Sequence, residues 1–225
     1  ADDFLRLVTS PLAQLSFSQW GEDAVLQHFL PAAESRGEQG WYVDCGCHHP
    51  QQYSNTMLLH MRGWTGINVD ANQEYIRLFN ECRPNDINVW SGVGIANEER
   101  DFYRFEIGAV STFSEQQAAE WQSRNGWKLR DVIKIPVRTI NELLTTHLPA
   151  GRRIDYLNID IEGLDREVVA QLDFGRFRPR VLSVELHGLS IVDSAADTTV
   201  TLLQSVGYQL VSVCVATFFF VLRDT

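Results

Sequence analysis

Two apolar segments of this chain each run into an acidic residue and a turn, a pattern that binds ligands in α/β proteins. Residues 41–45 contain Asp44 and lead into Gly46, and residues 65–69 lead into Asp70. Two parallel strands that end this way, with a helix between them, form the nucleotide end of a doubly wound sheet. A glycine turn lets the backbone approach a ligand, and the second carboxylate can accept hydrogen bonds from both ribose hydroxyls. The sequence therefore predicts an adenosine-type cofactor.

Other residues near these turns are candidates for contacts with the same cofactor. The third predicted strand ends where backbone groups usually meet an adenine ring. Several of the polar candidates also suit a structural role, because Asn72 and Ser54 are good helix N-caps. The predicted cofactor-binding residues are Asp44, Gly46, Asp70, Ala71, Asn72, Gly92, Val93, Gln19 and Ser54.

Acidic residues also end the fourth and fifth predicted strands. Asp160 and Glu162 close one strand, Glu185 and His187 close the next, and alternation puts the two members of each pair on one face. We predict Asp160, Glu162 and His187 as catalytic residues that remove a proton. Asp160, Glu185 and His187 form a predicted site for Mg²⁺ or another divalent cation. In the structural alternative, Glu162 caps the following helix and Glu185 pairs with an arginine such as Arg180.

Alternating strands and helices must position these residues. Strands joined by helices form a parallel sheet with right-handed crossovers. The last two predicted strands have too short a link for a crossover and must be antiparallel. This three-layer Rossmann-like α/β sheet, mostly parallel with an antiparallel C-terminal strand, is the layout of class I methyltransferases. The predicted strands are 41–45, 65–70, 87–93, 156–161, 181–186, 208–213 and 217–222, and the predicted helices are 56–62, 74–82, 139–148, 164–172 and 198–206.

The length of 225 residues indicates one domain over 1–225, with two additions to the basic sheet. An N-terminal helical segment at 1–38 contains a helix that Pro31 should end. An insert at about 95–138 could wall a substrate pocket or form a homodimer contact. Its predicted elements are a strand at 101–107, a helix at 114–124 and a strand at 133–137, and its candidate wall residues are Phe105, Phe113, Trp121 and Trp127.

Composition excludes several classes of partner. The formal net charge is −10 and no stretch of sequence concentrates Lys and Arg, so neither nucleic acid nor an anionic membrane is an expected partner. No apolar run is long enough to cross a bilayer. The four cysteines do not follow disulfide-rich or zinc-binding spacings, so reduced thiols and a cytoplasmic location are expected.

The first turn also helps to choose among adenosine cofactors. A nicotinamide fingerprint needs Gly-x-Gly-x-x-Gly, because the backbone approaches a pyrophosphate at several points. This turn has the single glycine Gly46, followed by Cys47, His48 and His49. S-adenosyl-L-methionine has no pyrophosphate and tolerates a looser Asp-x-Gly turn. The pattern therefore favours S-adenosyl-L-methionine over NAD.

Many spaced segments of the chain, in one order, resemble the FkbM family of methyltransferases. The resemblance implies an S-adenosyl-L-methionine-dependent O-methyltransferase (EC 2.1.1.-) that modifies a hydroxyl of a small acceptor, such as a sugar, a glycan or a natural-product intermediate. The residues after Gly46 depart from the small residues usual in the family. The matching segments are 18–23, 42–46, Pro50 with 54–56, 63–72, 83–84, 111–113, 137–139, 159–163, 178–179 and 184–185.

Three other functions remain open on the sequence. A non-catalytic adenosyl-ligand-binding protein could use the same fold. An NAD-dependent oxidoreductase would need a different phosphate-binding turn. N-methylation would need less help from a base, because a neutral amine is a stronger nucleophile than a neutral hydroxyl.

Overall fold

The computed structural model of this protein describes residue 10 and residues 14–30, 39–106 and 111–223. Strands and helices alternate through most of this part of the chain. The strands are β1 (Trp41–Cys45), β2 (Thr65–Asp70), β3 (Ile87–Trp90), β4 (Gly92–Gly94), β5 (Glu98–Phe105), β6 (Leu129–Thr139), β7 (Tyr156–Ile159), β8 (Val181–Glu185), β9 (Tyr208–Cys214) and β10 (Thr217–Leu222). The helices are α1 (Glu22–Phe29), α2 (Met57–Met61), α3 (Gln73–Cys82), α4 (Glu115–Asn125), α5 (Ile140–His147), α6 (Asp165–Gln171) and α7 (Thr198–Ser205).

A seven-stranded sheet in the order β3-β2-β1-β7-β8-β10-β9 forms the centre of the molecule. The five strands from β3 to β8 pair in parallel, whereas β10 pairs antiparallel with β8 and β9. This confirms the predicted fold. The strand order reverses between β1 and β7, and ligands of such sheets bind at the carboxyl ends of the strands beside this point.

Apolar side chains cover both faces of the central strands. All five residues of β1 and all four of β7 are buried, which is expected for strands with helices on both sides. Val43 and Cys45 pack with Ile159 and Val184 in the larger core, whereas Tyr42 belongs to the core on the opposite face. The centre of the sheet is thus rigid, and the ends of its strands are well placed to hold a site.

The third predicted strand divides between two sheets. β3 stays in the main sheet, while β4 joins β6 and β5 in a separate three-stranded sheet. The break lies at Ser91, whose N–H donates to the Asp70 carbonyl (3.1 Å) and whose Oγ donates to the Pro136 carbonyl (3.1 Å). The insert therefore consists mainly of the β5–β6 hairpin and α4, and β6 is longer than the predicted strand at 133–137.

Other boundaries differ by a few residues from the sequence prediction. β7 ends at Ile159, two residues early, because the chain turns there toward α6. Thr139 caps α5, since its Oγ1 accepts from the Glu142 N–H (3.2 Å). Pro31 and Ile107 lie outside the described residues, as does most of the predicted N-terminal segment 1–38.

The state of the cysteines and the apolar character of the helices are also visible in the structure. All four cysteines are free thiols, with Cys45 and Cys47 buried. Among the described residues, no helix combines the length and apolar character needed to cross a membrane.

Candidate active site

The turn after β1 lies directly against the end of β7. Gly46 adopts φ +82°, and its N–H donates to the Val69 carbonyl (2.9 Å). A Cβ atom at this position would overlap with the Asp160 carbonyl oxygen. Glycine is therefore required both by the left-handed backbone and by the close approach of β7.

Asp70 ends β2 and is held by backbone donors on both of its carboxylate oxygens. Oδ2 accepts from the His48 N–H (2.8 Å) and Oδ1 accepts from the Asn72 N–H (2.7 Å). Burial raises the pKa of Asp70 to about 7, although these backbone donors partly offset the shift. Each oxygen retains a second lone pair, so the carboxylate is oriented and still able to accept from two ribose hydroxyls.

The His48 ring, whose backbone N–H binds Asp70, belongs to an aromatic group. Its centroid lies 4.4 Å from that of Tyr75 in an edge-on arrangement and 6.1 Å from that of Tyr53. Burial lowers the pKa of His48 to about 4, so the imidazole is neutral at physiological pH. The bulky residues after Gly46 therefore build an uncharged wall next to the predicted ribose site.

The other predicted adenosine contacts serve mainly as structural groups. Asn72 Oδ1 accepts from the Glu74 N–H (3.0 Å) and caps α3, while the Ala71 carbonyl accepts from Trp90 Nε1 (2.9 Å). Gly92 and Val93 are buried in β4. These residues would contact a ligand through their backbone groups. Their role in cofactor binding stays a prediction.

Asp44 is placed behind the turn, inside the protein. Its Oδ1 accepts from Asn158 Nδ2 (2.9 Å) and its Oδ2 accepts from Thr56 Oγ1 (2.9 Å). Burial raises the pKa of this carboxyl, and the two side-chain donors counteract that shift. Of the candidates for the methionine end of the ligand, Ser54 is buried and accepts from Arg83 (3.0 Å), whereas Gln19 is exposed before α1.

Arg83 is a buried cation that the sequence analysis did not assign to any role. Its side chain is only 1% exposed. It donates to Thr56 Oγ1 (2.9 Å), to Tyr42 Oη (3.3 Å) and to the Pro50 carbonyl. In sequence it looks like an ordinary charge at the end of a helix, because Pro84 follows it. The one sequence feature that could have pointed to Arg83 is that residues 83–84 resemble a segment of the FkbM family.

The carboxyl end of β7 carries Asp160 and Glu162 in different backbone conformations. Asp160 continues the direction of the strand, whereas Glu162 adopts φ +57° and Gly163 adopts φ +116°. Strand alternation predicted that the two carboxylates share one face, and this prediction is wrong because Glu162 has left the strand. Burial, followed by repulsion from Glu185, raises the pKa of Asp160 well above its ordinary value.

The end of β8 brings Glu185 and His187 together with Glu162. His187 Nε2 lies 2.9 Å from Glu185 Oε2, and one potential ligand atom from each of the three residues lies within 4.8 Å of the others. Glu162, rather than Asp160, thus completes the group of metal-binding type that the structure forms. Asp160 interacts with Glu185 but is not part of this group of three.

Neither structural alternative for these acids matches the structure. Asp165, not Glu162, holds the loop before α6, because its carboxylate accepts from the N–H groups of Ile161 and Gly163 (both 2.9 Å). Arg180 precedes β8 while Glu185 ends it, so they lie at opposite ends of the strand. Glu162 and Glu185 are therefore left to face the carboxyl edge of the sheet.

The insert approaches this site from the side of α3. A cavity of about 110 Å³ lies between them, with Asn72 and Tyr75 on one wall and Arg104 and Phe105 on the other. The predicted wall aromatics mostly contact each other, since the ring centroids of Trp121 and Trp127 are 5.6 Å apart and those of Phe105 and Trp121 5.7 Å. The insert thus reaches the cofactor side of the sheet, with most of its aromatic surface used for its own packing.

The family of the chain is now decided by sequence comparison. The model of the methyltransferase FkbM domain matches residues 44–210, which run from the end of β1 to the start of β9 and include every element between them. The chain belongs to the FkbM methyltransferase family. The match begins at Asp44 and contains Asp70, Asp160 and Glu185, so the whole carboxyl edge described above lies within the FkbM domain. Gln19 lies outside it.

Two further comparisons complete this result. No curated protein is significantly similar to this FkbM domain in sequence. The crystal structure of monomeric WbdD is similar to it with 11% sequence identity and a TM-score of 0.46. That match covers 91% of this chain and 41% of WbdD, so the chain spans about two fifths of that protein's length.

Proposed function

We propose that this FkbM methyltransferase transfers the methyl group of S-adenosyl-L-methionine to a hydroxyl of a small acceptor. The observation that carries the proposal is the carboxyl edge of the sheet. There, the oriented carboxylate of Asp70 and the acidic ends of β7 and β8 lie on either side of the Gly46 turn. The Asp70 carboxylate accepts hydrogen bonds from the ribose hydroxyls. Asp160 takes the proton from the hydroxyl that receives the methyl group.

Methyl transfer is a direct displacement at carbon. The acceptor oxygen forms a bond to the methyl carbon while the methyl–sulfur bond breaks, and the hydroxyl proton must leave. An alcohol does not ionise unaided at neutral pH, so a positioned base contributes to the rate. Asp160 suits this role because its raised pKa makes its carboxylate form a stronger base than an exposed aspartate. Glu185 and His187 then line the acceptor's side of the pocket.

A second arrangement uses a divalent cation for the same reaction. The observation that favours it is the group of Glu162, Glu185 and His187, whose ligand atoms lie within 4.8 Å of one another. Two carboxylates suit Mg²⁺, while the imidazole suits Mn²⁺ or Zn²⁺ better. A bound cation would lower the pKa of the acceptor hydroxyl. Asp160 of the originally predicted ligand set would then remain a base beside the metal.

The first experiment is calorimetric titration with S-adenosylhomocysteine, with NADH as the control ligand. We expect micromolar binding of the former and none of the latter. Asp70→Ala should weaken binding by about 1–3 kcal/mol, because it removes charge-assisted hydrogen bonds to the ribose. Unchanged affinity in this variant would exclude the ribose role, and binding of NADH alone would overturn the choice of cofactor.

The base is tested by Asp160→Asn in a methyl-transfer assay with a set of hydroxylated acceptors. The substitution keeps the shape of the side chain but removes the proton acceptor, so we expect the rate to fall by about 10²–10⁴-fold while cofactor affinity is kept. Glu167→Gln removes an exposed carboxylate from α6 and serves as the control. Full activity of Asp160→Asn on a hydroxylated acceptor would show that Asp160 is not the base, and loss of cofactor binding would show that its carboxylate is needed for the cofactor instead.

The cation is tested in the same assay. If Mn²⁺ or Mg²⁺ restores the activity of the wild type after treatment with EDTA, we expect neither cation to restore the activity of Glu162→Gln. If EDTA has no effect on the wild type, the arrangement with Asp160 as a metal-independent base stands alone.

A further inference from the structure

Four arginines converge on one cavity at the amino-terminal edge of the sheet. Arg152, Arg153, Arg176 and Arg178 line a cavity of about 310 Å³. The first two precede β7 and the last two precede β8, whose opposite ends carry the acidic site. A strand of this length separates the two edges by about 15 Å. The cavity is therefore distinct from the proposed cofactor and acceptor site.

Three of the four guanidinium groups in this cavity are held in place by described residues that carry no negative charge. Arg152 stacks on the Trp41 ring at 5.1 Å, and Arg176 stacks on the Phe177 ring at 4.8 Å. Arg178 donates to the Val206 carbonyl (3.1 Å). None of the four cavity arginines forms an ion pair with a carboxylate of the described residues. The positions of Arg152, Arg176 and Arg178 are thus set by aromatic faces and a backbone carbonyl, which leave the charge available.

Within the part of the chain that the structure describes, no acidic side chain lines the cavity to balance these charges. The nearest acids in sequence have other partners. Asp173 accepts from the backbone N–H groups of Gly175 and Arg176, and Asp155 accepts from the Trp41 N–H. In a chain whose formal net charge is −10, a cluster of four arginines free of lining carboxylates is a local reversal of sign.

The floor of the cavity indicates what kind of anion fits. The four arginines are exposed, whereas the apolar lining residues Ile154 and Phe177 are buried and Leu148 and Leu222 are partly buried. The apolar side chains therefore form the floor of the cavity and the arginines its rim. A guanidinium fork matches the oxygens of a phosphate group, and several forks around one cavity favour a multiply charged group over a single carboxylate. An apolar floor favours a ligand that also carries an apolar portion.

We propose that this cavity is a second ligand site, which binds a phosphate ester through the four arginines and the ester's apolar portion through the floor. The site goes beyond the methyl-transfer function and does not depend on it. Because it lies at the opposite edge of the sheet, its ligand acts as an effector or an anchor and not as the methyl acceptor.

Calorimetric titration with phenyl phosphate and with inorganic phosphate tests the site. We expect phenyl phosphate to bind at least about tenfold more tightly, because its ring reaches the apolar floor. Binding should weaken between about 50 mM and about 300 mM salt, as expected for contacts that depend on charge. Equal binding of the two phosphates, or no binding of phenyl phosphate at millimolar concentration, would overturn the proposal.

Two double variants separate the cavity from the overall charge of the protein. Arg153→Gln with Arg176→Gln removes two exposed cavity charges, and we expect at least about a tenfold loss of affinity for phenyl phosphate. Arg77→Gln with Lys134→Gln removes two exposed charges elsewhere and should leave affinity within about twofold. Equal losses in both would mean that only net charge matters, which would also contradict a site in the cavity.

Discussion

At the scale of single residues, the turn after β1 requires a residue without a Cβ atom at position 46. Gly46 lies in the left-handed region with the Asp160 carbonyl where a Cβ would be. Gly63 has the same φ of +82° but open space around it. The two glycines therefore separate the cost of backbone conformation from the cost of the close contact between β1 and β7.

We expect Gly46→Ala to destabilise the protein far more than Gly63→Ala. The latter should cost about 1 kcal/mol, the usual price of a side chain at positive φ. The former must also push β7 away and should cost about 3 kcal/mol or more, with loss of S-adenosylhomocysteine binding. Urea unfolding and calorimetry measure the two effects. Similar costs for both variants would show that the turn tolerates a side chain.

At the scale of elements, Arg83 connects the segment between β1 and α2 to the end of α3. It donates to Pro50 and Ser54 in that segment and to Thr56 at its end. Thr56 in turn donates to Asp44, so the guanidinium indirectly fixes the residue behind the cofactor turn. One buried cation thus sets the shape of the segment between β1 and α2.

Arg83→Met should lower the free energy of unfolding by about 3–5 kcal/mol, because it leaves several buried acceptors without a donor. Arg77→Met is the matched control, since that arginine is exposed on α3 in an i,i+4 pair with Glu81 and should change stability by less than about 0.5 kcal/mol. Chemical denaturation measures both. A small effect at Arg83 would mean that water replaces the guanidinium.

At the scale of the whole molecule, burial shifts many acids in the same direction. The pKa of Asp70 is raised to about 7, and those of Asp44 and Asp160 are also raised by burial. In the unfolded chain such carboxyls titrate near about 3.9. Between the two values the folded state binds more protons, so the free energy of unfolding falls as the pH rises. Burial lowers the pKa of His48 to about 4, so this residue makes the free energy of unfolding rise with pH. That effect is confined to the range below the ordinary histidine pKa of about 6.5.

We therefore expect the protein to lose about 1 kcal/mol of stability between pH 6.5 and pH 8, where the carboxyls dominate. Thermal unfolding across this range measures the loss. Asp70→Asn cannot titrate and should flatten the profile. A stability that rises with pH over this interval would show that these carboxyls are ionised in the folded protein without penalty.

The sequence by itself determined the alternation of strands and helices and the acids at their ends. The apolar runs before Gly46 and Asp70 form β1 and β2 because strands covered on both faces must be apolar along their length. The short link at the end of the chain forced an antiparallel hairpin for the same local reason. Such features depend on neighbours in sequence, so periodicity and turn chemistry are enough to predict them.

Only the tertiary structure decided which of these groups meet. A left-handed turn at Glu162 placed that carboxylate beside Glu185 and His187, although strand alternation had paired it with Asp160. Arg83 became a buried centre because three segments distant in sequence close around it. The arginine cavity likewise collects residues from loops before two strands, which no local count of charge detects. The order of strands in the sheet and the direction of each turn set these contacts, and neither is encoded in a local pattern of residues.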